Sequence, residues 1–121
     1  MDEELPERLA YESFQRSQED PRVKAAFAEW SSCMQDKGHK YKSPFDPFAD
    51  PAFTPPGGAK ERKTAEDDIA CKTATNLVGK WYAVESAYQQ GLIADHRNEL
   101  TALGESQPAI KERVRALAQT R

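Results

Sequence analysis

Between Asp20 and Gly38 the chain reads DPRVKAAFAEWSSCMQDKG. At about 100° per residue, Val23, Phe27, Trp30 and Met34 fall within an arc of about 60°. Asp20 stands where an N-cap belongs, Pro21 where a first helical residue can lack its N–H, and Gly38 where a helix stops. The pattern predicts an amphipathic helix over 20–38, with Cys33 about 80° from Val23 on the flank of the apolar seam. A weaker stripe of Ala10, Tyr11 and Phe14 predicts a short helix within 1–19, with Pro6 in its first turn.

After Gly38 the pattern is lost. Residues 39–63 open with HKYKSPFDPFADPAFTPPGGAK, which holds five of the eight prolines and three of the five phenylalanines. Pro44, Pro47, Pro51, Pro55 and Pro56 forbid a regular helix. A disordered linker is poor in aromatic residues, yet Tyr41, Phe45, Phe48 and Phe53 lie here. The segment therefore reads as an ordered strap that lays rings on the helices, or as an aromatic binding surface.

Helical spacing returns over 64–103. Thr64 and Asp67 resemble a capping box. Leu77, Trp81, Val84 and Tyr88 share a stripe about 60° wide, from which His96, Leu100 and Leu103 are displaced by about 100°. Gly91 marks the start of that drift, so one long helix, about 60 Å if straight, is expected to bend there or to supercoil. Gly104 ends the pattern. Ser106 and Pro108 can open a last helix over 106–121, with Ile110, Val114 and Leu117 on one side. Lys111, Arg113 and Arg115 lie elsewhere on that helix, as a solvated face. With no strand alternation and no repeat, the expected class is all-α: a single domain over 1–121, built as a three- or four-helix bundle or long helical hairpin with a strap loop. Trp30 and Trp81 are expected to pack near each other across the seam.

Composition narrows the function. A chain of 121 residues supports one modest core, and a charged fraction of 31% with mean hydropathy −0.83 demands a largely solvated surface. Net charge is −3, without a basic stripe to track phosphates, which argues against nucleic acid. No apolar run is long enough to span a bilayer. The acidic start MDEELPERLAYESF has neither a basic nor an apolar leader region. Either the protein is cytosolic, or it is an exported domain without its leader.

Cys33 and Cys71 bear on that choice. Both sit on helix flanks that packing can bring together, and a disulfide, two buried thiols and a reactive or metal-bound pair all remain open in that order of preference. His39 with the two cysteines has no diagnostic metal spacing, and neither CxxC nor HExxH occurs. Met34 and His96 as haem ligands lack a CxxCH attachment site. No GxSxG elbow is present, Asp67 and Asp68 are accounted for by a helix start, and Gly57-Gly58 does not follow a strand as a phosphate cradle would. The expectation is a protein that is not an enzyme and that carries no cofactor and no metal.

The runs D20-P21, W30-S31-S32-C33-M34, G38, Y41 and P44, followed by D68-I69-A70-C71-K72, N76-L77-V78 and Y88-Q89-Q90, resemble a family of small uncharacterised actinobacterial secreted or lipoprotein-type proteins. That family carries W-x-x-C-M, then G-x-x-Y-x-x-P, then A-D-x-x-C-K. The resemblance covers about residues 20–103. It implies that Cys33 and Cys71 pair, that the protein is exported, and that a signal and lipobox with a lipid anchor belong to the precursor. The functional expectation is a non-catalytic extracytoplasmic binding domain for an envelope protein or peptide, with Tyr41, Phe45, Phe48 and Phe53 as its surface. The alternatives are a small-molecule sequestration or sensing protein with a pocket between strap and helices, and a cytoplasmic module if the cysteines are reduced.

Overall fold

The computed structural model describes residues 2–119, apart from the side chains at 108, 110 and 111. The protein is all-α: among the described residues there are six α-helices and no strand. They are α1 (Leu5–Glu19), α2 (Pro21–Asp36), α3 (Ala59–Thr75), α4 (Leu77–Asp95), α5 (Arg97–Ser106) and α6 (Pro108–Gln119). The chain gathers into two compact units, a central one of Pro21–Lys80 and a terminal one of Met1–Asp20 with Trp81–Arg121.

In the central unit α2 follows the hydropathy pattern closely. Val23, Ala26, Trp30 and Met34 are buried, and Gly38 closes the helix at φ +92°. The amide of His39 reaches back to the Met34 carbonyl at 2.9 Å, which satisfies an orphan acceptor of the last turn. Trp30, Met34, Cys71, Ala26 and Leu77 form the core, with Phe27, Cys33 and Tyr41 packed against it. Full burial of side chains such as Trp30, Met34 and Leu77 contributes about 1.5–3 kcal/mol each.

The expected helix over 64–103 is instead three helices. The first begins earlier, at Ala59, and no capping box forms: the Thr64 hydroxyl donates backward to the Lys60 carbonyl at 2.9 Å, while Asp67 turns to other partners. It ends at Asn76, which adopts the left-handed conformation at φ +52°, a role that asparagine fills next best after glycine. The second break falls at His96, not at Gly91, which lies within α4. Gly104 is likewise helical and buried, and α5 runs on to Ser106. Gln107 is extended (φ −142°, ψ 101°), as a residue preceding proline is driven to be.

In the terminal unit α1 buries Leu5, Pro6, Leu9, Ser13 and Ser17, while Tyr11, expected on the apolar face, is exposed. Two serines replace larger side chains because each satisfies its hydroxyl on its own helix, Ser13 on Ala10 and Ser17 on Phe14, both at 2.8 Å. The space over Ser17 takes Trp81, whose Nε1 donates to the Ser17 hydroxyl at 2.8 Å and whose ring stacks on Phe14 with centroids 5.6 Å apart. The two tryptophans thus belong to different units, Trp30 to the central core and Trp81 to the contact with Ser17 and Phe14. Leu5, Leu9, Leu92 and Leu100 form the apolar cluster of this unit, with Ile93 and Val114 against it. The side chain of Ile110, expected beside Val114, and residues 120–121 of the expected last helix lie outside the described residues.

Candidate functional site

Cys33 on α2 and Cys71 on α3 are joined as a disulfide, with Cα atoms 5.7 Å apart, inside the usual range for such a bridge. Neither sulfur is left as a thiolate to attack or to bind a metal. Among the described residues, no group of three or more His, Cys, Asp or Glu side chains could hold an ion. Met34 is a buried core residue, and His96 Nδ1 lies 2.9 Å from the Leu92 carbonyl of its own chain segment.

Beside the disulfide the strap returns over α2 and α3 as a short aromatic stack. The His39 ring lies nearly parallel to Tyr41 at 6.1 Å, and Tyr41 lies over Trp30 at 6.4 Å. Each member of the stack donates to a different aspartate. His39 Nε2 donates to Asp67 Oδ2 at 2.8 Å, the Tyr41 hydroxyl to Asp50 Oδ2 at 2.6 Å, and Trp30 Nε1 to Asp68 Oδ1 at 2.9 Å. Lysines complete two of the carboxylates, Lys63 on Asp67 at 2.8 Å and Lys72 on Asp68 at 2.9 Å. The Ser31 hydroxyl donates to the Tyr41 carbonyl and ties the strap backbone to α2.

These contacts set the ionisation of the group. Lys63 first, and His39 second, hold the Asp67 carboxyl below the ordinary carboxylate range. The Tyr41 hydroxyl and then the Ala52 amide do the same for Asp50. Burial, followed by the bond to Asp50, pushes the Tyr41 phenol up to about 12. At neutral pH Asp50 and Asp67 are therefore acceptors and Tyr41 a donor, the states their hydrogen bonds require.

The four aromatic residues singled out in the strap have three different fates. Tyr41 turns inward. Phe45 meets Phe27 edge-on at 6.3 Å, so it lays a ring on α2. Phe48 and Phe53 line a cleft of about 320 Å³ with Pro44, Pro47, Pro56 and Ala65, and Phe48 is 87% exposed. The cleft is open to solvent and its lining includes neither Phe45 nor a tryptophan, so it is not the closed apolar cavity that a buried small molecule would need.

Two short 3-10 turns, Asp46–Ala49 and Pro51–Phe53, shape the strap, and both are pinned by aspartates. Asp46 Oδ2 accepts from the amides of Lys42 and Ser43 at 2.8 and 3.1 Å, and Asp50 Oδ1 from Ala52 at 2.8 Å. Hydropathy and aromatic content single out the rings and pass over Asp50 altogether. The signal available was the D-P of Asp46-Pro47 and Asp50-Pro51, in which a short acceptor side chain precedes a residue of fixed φ. Comparison with known protein families, with curated proteins and with solved structures finds no match. No helix among the described residues is long and apolar enough to cross a membrane.

Proposed function

We propose that the protein is a non-catalytic binding domain that works outside the cytoplasm, with the outer face of the strap as its contact surface. The observation that carries this reading is Phe48. It is 87% exposed on a backbone fixed at both of its turns by aspartate side chains. An exposed ring held on an ordered loop beside an apolar cleft has the form of the aromatic anchors that dominate protein interfaces. The Cys33–Cys71 bridge supports an oxidising compartment. The resemblance to actinobacterial secreted or lipoprotein-type proteins agrees with export and with a lipid anchor on the precursor. The openness of the cleft favours a protein or peptide over an enclosed small molecule.

The test places a photo-crosslinking amino acid at position 48, and in a second variant at position 82, in the cells that make the protein. Tyr82, in the terminal unit, is also a partly exposed aromatic residue, at 47%. A discrete adduct from position 48 and none from 82 is expected. No adduct at 48, or the same adducts at both positions, would remove the strap as the contact surface. Thiol titration of the recovered, unreduced protein in denaturant tests the compartment: none is expected, and two free thiols would place the protein in a reducing one.

A further inference from the structure

Resting on the reading of the strap as a contact face, the lining of its cleft narrows what it would take. Besides the rings, the prolines, Thr54, Thr64 and Ala65, the cleft is lined by Asp50, Glu61 and Asp68, and no basic side chain is among its lining residues. One of these carboxylates, Asp68, is matched by Lys72, and Lys60 acts on Asp50 only through its field. The lining therefore carries net negative charge against apolar walls.

The carboxylates are also held in advance. Asp50 accepts from Tyr41 and from the Ala52 amide, Asp68 from Trp30 and Lys72, and Glu61 Oε2 from the Gly57 amide at 2.7 Å. A carboxylate offers about four acceptor positions, so each keeps capacity for a further donor. Because the existing donors fix their rotamers, little side-chain entropy is lost when a cation arrives. Their spread disfavours a metal ion, since they do not converge as an ion's ligands must. It suits a cation on a long apolar stem, which covers ring and proline surface while its head meets the acids. Phe48 lines the cleft yet stays 87% exposed, so an occupant of the cleft alone would leave most of its ring in water. A chain segment that continues past the cleft would cover it.

We propose that the cleft docks a lysine or arginine side chain of an extended segment of a partner protein, its stem along Phe48 and Phe53 and its head toward Asp50, Glu61 and Asp68.

The probe is a set of blocked pentapeptides, Gly-Pro-X-Pro-Gly, with X lysine, arginine, norleucine or glutamate, titrated into the isotopically labelled full chain and followed by backbone amide shifts. The lysine and arginine peptides should give saturable shifts at residues 48, 50, 53, 61 and 65. They should bind about tenfold more tightly than the norleucine peptide, by an amount that shrinks with added salt. Glu61→Gln, which keeps an acceptor for the Gly57 amide, and Asp50→Asn should each weaken the lysine peptide several-fold. Phe48→Ser, at an exposed position, should weaken it with the amide spectrum elsewhere unchanged. Equal binding of the norleucine peptide would overturn the basic occupant while leaving the strap as a contact face. Absence of saturable shifts with the lysine and arginine peptides would overturn the cleft as their site, and the crosslink from position 48 would then report separately on the strap. Binding indifferent to both acid substitutions would also overturn it.

Discussion

Replacing Cys33 and Cys71 together by serine removes a bridge between residues 38 apart in sequence. Where the effect is assigned to the unfolded chain, closing a loop of that length lowers its entropy by an amount worth about 4 kcal/mol. The central unit, Pro21–Lys80, has roughly 60 residues, a size at which an apolar core alone rarely supplies more than about 3–5 kcal/mol. The staple therefore matches the rest of the unit's stability, and without it residues 21–80 should keep only about half of that stability in plain buffer. Trp30 is the reporter, because it is fully buried in this core; a Trp81→Phe background leaves it as the sole tryptophan. Urea titration followed by its fluorescence should show a cooperative transition in the bridged protein. In the double-serine variant the midpoint should fall by at least about 2 M, for a urea slope of about 1–2 kcal/mol per molar. Reductant should reproduce the loss in the bridged protein and leave the serine variant unmoved. A midpoint that stays within about 0.5 M would show that packing alone holds α2 on α3 and would refute the reasoning.

Ser17→Ala should destabilise by about 1–2 kcal/mol, because Trp81 Nε1 loses its acceptor inside the terminal unit, although alanine is the better helix former; a gain in the thermal midpoint would count against the assignment. Tyr41, with its phenol raised to about 12, favours the fold fully below its unfolded value near 10 and progressively loses that contribution as pH rises toward 12. In a titration of phenolate absorbance, Tyr41→Phe should delete the component that titrates near 12, and loss of a component near 10 would contradict the burial argument. Asp67, with a lowered folded value, contributes stability above its unfolded value near 3.8 and loses it as pH falls through the folded one. Asp67→Asn should therefore be less stable than the parent at neutral pH, with a difference that closes in acid; a pH-independent difference would rule out an ionised Asp67 carboxylate held by Lys63 and His39.

What the sequence made legible follows from where apolar periodicity decides the structure. Helix α2 obeys it, with Gly38 as its stop, and Cys33 is placed on the flank that meets α3. Helix α3 does not: its buried positions are Thr64, Asp67 and Cys71, while Ile69, its most apolar residue, is 65% exposed. A hydropathy pattern reads the first two as surface, and no local rule links Asp67 to His39, 28 residues away. The break at Asn76 was obscured because asparagine in the left-handed conformation carries no mark that distinguishes it from a helical one. The buried serines of α1 were lost for a related reason, since their burial depends on Trp81 coming from 64 residues away to use one of them.

The polar inner face of α3 has a mechanical consequence. An apolar seam tolerates sliding and repacking, because dispersion and desolvation depend weakly on direction. Here the contacts that hold α2, the strap and α3 in place are directed ones: His39 to Asp67 between strap and α3, Tyr41 to Asp50 within the strap, and Trp30 to Asp68 and the sulfur bridge between α2 and α3. Each accepts only a narrow range of distance and angle, and among the described residues no buried side-chain polar atom lacks a partner. A strap fixed in this way presents Phe48 and the cleft carboxylates in one arrangement before anything binds. The ordering of those groups is then charged to folding and not to association, which is the condition under which a small face can bind selectively.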